Sequence, residues 1–210
     1  MRVLMCGFLA VGWLLSCSSE KGADEQQPAE STAPTAEEAK AGGTPVASVE
    51  TDKGIIVIEL LPEVAPATVE RFIELAEVGF YRRTSFHRVM KDRMIQGGDP
   101  LSRDNDPFND GQGTSGEYLP QEFSSVPFER GTVAMGRLPG GDNGGSCQFF
   151  ITLKPSPEWE GQYNVFGKVI EGIEVAEEIS RSPLSKSDQP SMKNRPAGKQ
   201  IIKRISIEYR

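Results

Sequence analysis

Between Val46 and Tyr209 the apolar residues fall in many short runs, and that pattern narrows the folds open to the chain. Val46 to Leu61 reads as a hairpin: Ala47 and Val49 on one arm, Asp52-Lys53-Gly54 as the turn, the β-branched run Ile55 to Leu60 on the other. Further strands are expected around Ser85–Val89, Met94–Gly97, Thr132–Met135, Phe149–Thr152 and Val165–Val169. A last one, Ile201 to Tyr209, sets Ile205, Ile207 and Tyr209 on one face. Helical signals are fewer. Pro66 suits a first helical turn, Val69, Phe72, Ile73 and Ala76 follow at i, i+3, i+4, i+7, and Gly79 is placed to stop the helix. A second, short helix fits Ile173–Ser180. Many short strands with two helices are what a closed antiparallel barrel with helices over its ends would show, so the expected fold is mainly β.

The chemistry concentrates in Ser85 to Asp99. Phe86, Val89 and Met90 form an apolar strand pattern with a cation, Arg88, in its middle; Met94-Ile95 then leads to Gln96 and two glycines. An arginine in an apolar setting costs free energy unless it is paired or faces a ligand. Arg88 therefore either pairs with a buried carboxylate or is held over a groove to meet a polar atom of a substrate, and this stretch alone leaves the two level.

Several other functions are disfavoured. A formal net charge of −7 argues against a nucleic-acid partner. His87 is the one histidine, which removes multi-histidine metal sites and makes a Ser-His-Asp hydrolase improbable; its expected role is structural, beside the arginine. Cys6, Cys17 and Cys147 have no CxxC spacing, so neither zinc nor a disulfide framework is indicated, and Cys147 reads as a small packing residue. Asp104 to Gly116 is acidic and glycine-rich, but Phe108 and Ser115 stand where a calcium loop needs ligands. Gly140 to Gly145 lacks the Gly-Lys-Ser/Thr ending of a phosphate loop. Both are expected to be substrate-lining or surface loops. No cofactor is expected.

At the N-terminus Arg2 precedes Val3 to Leu15, an apolar run of 13 residues, too short to span a bilayer but suited to a signal peptide. It ends Leu14-Leu15-Ser16-Cys17, which resembles the bacterial lipobox, in which the cysteine is lipidated and becomes the first residue. Residues 1–16 are thus expected to be a lipoprotein signal peptide, with Cys17 the lipidated residue; an ordinary secretory signal with an incidental cysteine is the alternative. Ser18 and Ser19 in place of aspartate suit the outer membrane of a diderm bacterium. Residues 17–45, rich in Ala, Pro, Glu, Gln, Ser and Thr, lack apolar periodicity and read as an acidic, flexible tether. The expected location is the cell envelope, held to the membrane through the lipid.

Five blocks, FHRV, MIQGGD, GTVAMGR, QFFIT and VFGKVIEG, stand in the order and spacing of the cyclophilins, and residues 46–210 resemble that family of peptidyl-prolyl cis-trans isomerases. The resemblance implies an eight-stranded barrel capped by two helices. It implies Arg88 as the catalytic cation and Gln96 as the residue that orients it. Met94 and Phe150, with Trp159 at the rim, would form the proline pocket, and Tyr163 could donate to the substrate carbonyl. Gly136 and Arg137 would pair with the peptide backbone, and Gln148 would line the same groove. Three positions depart from the family pattern. Arg93 replaces a frequent aromatic and would make the pocket more open and cationic. Glu158 and Trp159 stand where some relatives have tryptophan and where leucine is usual, which weighs against tight cyclosporin binding. Tyr163 replaces the histidine of the best-known members. The expected partners are proline-containing segments of exported proteins, met by a monomer. The competing reading is a chaperone or adhesin domain that grips such segments with little turnover; a purely structural envelope lipoprotein is a third.

Overall fold

The computed structural model describes residues 42–137, 143–187 and 189–210. The expected signal segment, Cys17, the expected tether up to residue 41 and the start of the Gly140–Gly145 loop lie outside them.

The hairpin forms as its pattern requires. Strands β1 (Pro45–Thr51) and β2 (Ile55–Leu60) pair with Val49 opposite Ile56 and Ala47 opposite Ile58. All four side chains are fully buried on one face. Helix α1 (Pro66–Glu77) buries Val69, Phe72, Leu75 and Ala76 against the same core. At its end Gly79 takes φ 74°, a conformation open to glycine at little cost, and Phe80 N–H closes on the Leu75 carbonyl at 2.8 Å. The start of α1 lacks a cap of its own, because Ala65 has no side-chain acceptor. Glu122 supplies it from a distant loop, accepting from Ala67 N–H and Thr68 N–H at 2.9 Å each and from Thr68 Oγ1 at 2.7 Å.

The remaining strands are β3 (Arg88–Met90), β4 (Met94–Gly97), β5 (Thr132–Met135), β6 (Phe149–Thr152), β7 (Val165–Glu171) and β8 (Ile202–Tyr209), with helix α2 (Ile173–Ser180) between the last two. They form one eight-stranded antiparallel sheet in the order β3-β4-β6-β5-β7-β2-β1-β8. Register shifts at Glu50/Thr51, Val57/Ile58 and Val133/Ala134 add the local bends that let such a sheet curl on itself. The two ends meet through a short seam. Phe86 N–H reaches the Gln200 carbonyl (2.8 Å), Ile202 N–H the Thr84 carbonyl (2.8 Å) and Arg83 N–H the Ile202 carbonyl (2.9 Å). This explains why β3 is shorter than expected. Thr84 and Phe86 use their backbone on the seam, the Ser85 N–H between them goes to Ser102 Oγ (2.9 Å), and only Arg88–Met90 pair with β4.

Inside the curl Phe72 packs on Tyr81 (5.2 Å between centroids), Phe166 (5.0 Å) and Phe149 (5.6 Å), and Phe86 meets the edge of Phe149 (6.0 Å). Cys147 is buried among these residues as a packing side chain, its thiol pushed up to about 12 by burial and by the nearby charge of Asp99.

Candidate active site

Strand register assembles the site. Arg88 faces Gln96, Gln96 faces Phe150 and Phe150 faces Ala134, so four strands contribute one row of side chains. The next row, Val89, Ile95, Ile151 and Val133, is fully buried in the main core. Because successive residues of a strand point to opposite faces, an inward Val89 requires an outward Arg88. Arg88 is accordingly exposed, not sunk in an apolar setting, and no carboxylate lies within ion-pair distance of it among the described residues. The buried-carboxylate alternative is thereby removed.

A ladder of amides fixes the guanidinium. Arg88 Nη1 donates to Gln96 Oε1 (3.1 Å), Gln96 Nε2 to Gln148 Oε1 (3.0 Å), and Gln148 Nε2 to the Gly113 carbonyl (3.0 Å). Each donor–acceptor step dictates the next, so Gln96 must turn its oxygen to Arg88. Gln148, expected to line the groove, instead stands behind Gln96, 4% exposed with both ends of its amide engaged. Gly136 permits the ladder to pass. A Cβ there would sit 3.3 Å from Gln96 Nε2 and from the Gln148 carbonyl. Its N–H is committed to that carbonyl at 2.6 Å, which leaves its own carbonyl as the backbone group it can offer a peptide.

Beside the guanidinium lies a cleft of about 120 Å³, roughly the volume of four waters and suited to one small ring. Met94 and Phe150 make its apolar wall, with Trp159 and Tyr163 alongside. Phe150 is held in place by Tyr163 (5.1 Å, 80°), by Trp159 (5.4 Å, 86°) and by Phe128 stacked beneath it (6.0 Å, 11°). Phe128 was not among the expected site residues; it sits in a stretch with neither strand nor helix period, and nothing local signals its role. Arg137 also lines the cleft, donating to the Gln162 carbonyl (3.3 Å) with its guanidinium 5.6 Å from the Phe123 ring.

Arg93 is placed otherwise than expected. It binds Glu158 at 2.7 Å and lies over Trp159 at 5.1 Å, outside the cleft. The cation that would have opened the pocket thus braces Trp159 from behind. His87 is buried and held neutral, its pKa lowered to about 4 by burial against the opposing pull of Asp99. The acidic loop is tied down by Asp99, which accepts from Leu101 N–H (2.8 Å) and from Gly111 N–H. That anchoring is what presents the Gly113 carbonyl to Gln148.

A fixed cation at the mouth of an aromatic ring pocket, with no serine, cysteine or histidine among the described residues that line it, can grip an apolar ring and donate hydrogen bonds to a group beside it. Residues 46–206 match the family model described as cyclophilin type peptidyl-prolyl cis-trans isomerase. The chain is 33% identical over 161 residues to peptidyl-prolyl cis-trans isomerase-like 1 of Neurospora crassa, covering 77% of this chain and 96% of that protein. The human protein of the same name is 38% identical over 144 residues, covering 68% of this chain and 83% of its own length. Peptidyl-prolyl cis-trans isomerase-like 2 of Gibberella zeae is 38% identical over 164 residues, of which the match covers 78% of this chain but only 27% of that protein. A crystal structure of a Cryptosporidium parvum cyclophilin type isomerase, in the presence of the dipeptide Ala-Pro, superposes with a TM-score of 0.68 at 30% identity, covering 79% of this chain and 99% of that one.

Proposed function

The chain belongs to the cyclophilin-type peptidyl-prolyl cis-trans isomerases and is an enzyme of that kind; from this premise we propose that Arg88 is its catalytic residue and that its substrates are X-Pro bonds of exported proteins. Rotation about such a bond is slow because amide resonance must be broken, at a barrier of about 18–20 kcal/mol. A catalyst needs no covalent step. It has to bind the twisted amide more tightly than the planar one.

The observation that carries the assignment is a guanidinium held by a neutral amide, with no competing carboxylate among the described residues, at the edge of a ring-sized aromatic cleft. With the proline ring against Met94 and Phe150, Arg88 donates to the prolyl nitrogen as its lone pair is released from resonance. Gln96 keeps the guanidinium aimed. The Gly136 carbonyl and Arg137 meet the peptide backbone, Tyr163 meets the substrate carbonyl, and Trp159 closes the rim. The test is a protease-coupled isomerase assay on wild type and Arg88→Ala. A preorganised donor of this kind contributes on the order of 10²–10³ in rate. We expect a loss of that size with an unchanged circular dichroism spectrum, and equal rates would reject the assignment.

The envelope placement rests on the N-terminal sequence alone. Val3 to Leu15 and the Leu14-Leu15-Ser16-Cys17 ending support cleavage before Cys17 and its acylation, with the following residues as a tether. Labelling with a radioactive fatty acid in a bacterial host should be lost in Cys17→Ser; label retained by that variant would refute it.

A further inference from the structure

Two charged residues outside the ring cleft are each the chain neighbour of a residue that lines it. Arg93 immediately precedes Met94, and Glu158 immediately precedes Trp159. The 2.7 Å contact of Arg93 Nη2 with Glu158 Oε1 therefore ties two walls of the cleft together across 65 residues of sequence. The backbone at both roots is fixed. Arg93 N–H donates to the Met90 carbonyl (2.9 Å), and Leu153 N–H donates to the Arg93 carbonyl (2.8 Å). Asp92, just before it, is held to helix α2: its N–H donates to Ser180 Oγ (3.1 Å) and its carboxylate accepts from Arg181 Nε (2.7 Å). On the far side Trp159 N–H donates to the Ser156 carbonyl (3.0 Å) and Gln162 N–H to the Trp159 carbonyl (3.2 Å).

These backbone bonds leave the orientation of the indole open, and Trp159 is only half-buried. It meets Phe150 and Phe128 edge to face, and the Arg93 guanidinium lies over its ring. The buried Nε of Arg93 has no hydrogen-bond acceptor among the described residues, so the guanidinium is placed by the carboxylate on one side and the ring on the other. We propose that Arg93 and Glu158 are positioning residues of the isomerase: their ion pair is a strap that orders the Trp159 rim before a proline ring arrives, and so sets the affinity of the cleft. The inference rests on the reading of that cleft as the isomerase site. A wall ordered in advance spares the complex the cost of immobilising it. The rim touches the ring whether the amide is planar or twisted, so the benefit falls on KM and not on kcat. The paired side chains are 34% and 51% exposed, so salt screens them, and such a pair adds little to global stability.

The experiment measures KM and kcat of the full chain on an uncharged proline peptide, with isomerisation followed by NMR exchange. Arg93→Met keeps an apolar stem and removes the charge. We expect it to raise KM about four-fold at unchanged kcat and unchanged urea midpoint. Glu158→Gln should do the same, and the double variant should lose no more than either single one. Arg93→Lys should recover only part, because a compact ammonium cannot lie flat on the ring while it binds the carboxylate. As salt is raised toward about 1 M, the wild-type KM should approach that of Arg93→Met. In a Trp13→Phe background Trp159 is the only tryptophan, and its fluorescence anisotropy decay should gain a fast component in Arg93→Met. A KM indifferent to Arg93→Met, a loss confined to kcat, additive losses in the double variant, or an unchanged anisotropy decay would each overturn the strap. Turnover by wild type, lost in Arg88→Ala, reports separately on the isomerase reading, and the anisotropy measurement needs no turnover.

Discussion

Gln148 shows how far a single side chain can act through another. It stands behind Gln96, and its two hydrogen bonds fix which end of the Gln96 amide faces Arg88. Gln148→Leu leaves the Gln96 NH₂ group and the Gly113 carbonyl without partners, and should lower kcat/KM about tenfold through the lost orientation. The protease-coupled assay measures this; a rate equal to wild type would mean that Arg88 aims itself. His87 gives a prediction in pH. The unfolded imidazole takes up its proton near 6.5 and the folded one only near 4. Between those values the unfolded chain binds more protons, so stability is full above pH 6.5 and falls as the pH drops toward 4, by about 3 kcal/mol at most. Urea titrations should show this loss in wild type beyond that of His87→Gln; parallel pH profiles would contradict it. Arg88 and its neighbours Met94, Phe150 and Tyr163 were legible in the sequence because blocks of the family pattern surround them. Whether Arg88 is sunk in an ion pair or held over a groove was open in the sequence, and strand alternation, which sends Val89 inward and Arg88 out, decides for the groove. Gln148 and Arg93 were misplaced. Their roles depend on Gly113 and Glu158, 35 and 65 residues away.

Helix α1 divides along the same line. Its body and its end were readable from Pro66, the Val69-Phe72-Ala76 spacing and Gly79, all local signals. Its cap was not, because Glu122 lies 54 residues beyond Thr68. That carboxylate satisfies two backbone donors and a hydroxyl at the positive end of the helix. Glu122→Ala should therefore cost about 2 kcal/mol of stability, seen as a lower urea midpoint at unchanged slope. A shift within error would show that water caps the helix equally well. The same loop presents Phe123 to Arg137, and Asn164 binds both Thr68 Oγ1 and the Pro120 carbonyl at 2.9 Å each, so α1, the loop and the strand after Tyr163 are held as one piece. Strands β4, β5 and β6 and helix α2 lie where their apolar runs end. β8 starts one residue later than expected, and β3 came out shorter because no strand pattern announces that Thr84 and Phe86 will be taken by the seam.

At the scale of the whole molecule, the main core, the cleft and the seam all fall within residues 42–210. A chain starting at residue 42 should therefore match the full chain in kcat/KM on soluble peptides, and a large deficit would place part of the active site in residues 1–41. The seam carries a different consequence. The arm bearing Arg88 is pinned at its root by hydrogen bonds from Arg83 and Phe86 to residues 200–202 and by Ile202 N–H on Thr84. While a ribosome still holds those late residues, that arm has nothing to close against and the guanidinium of Arg88 has no fixed bearing. The enzyme is thus silent throughout its own synthesis, and it can attend to other chains only after its own tail has come home.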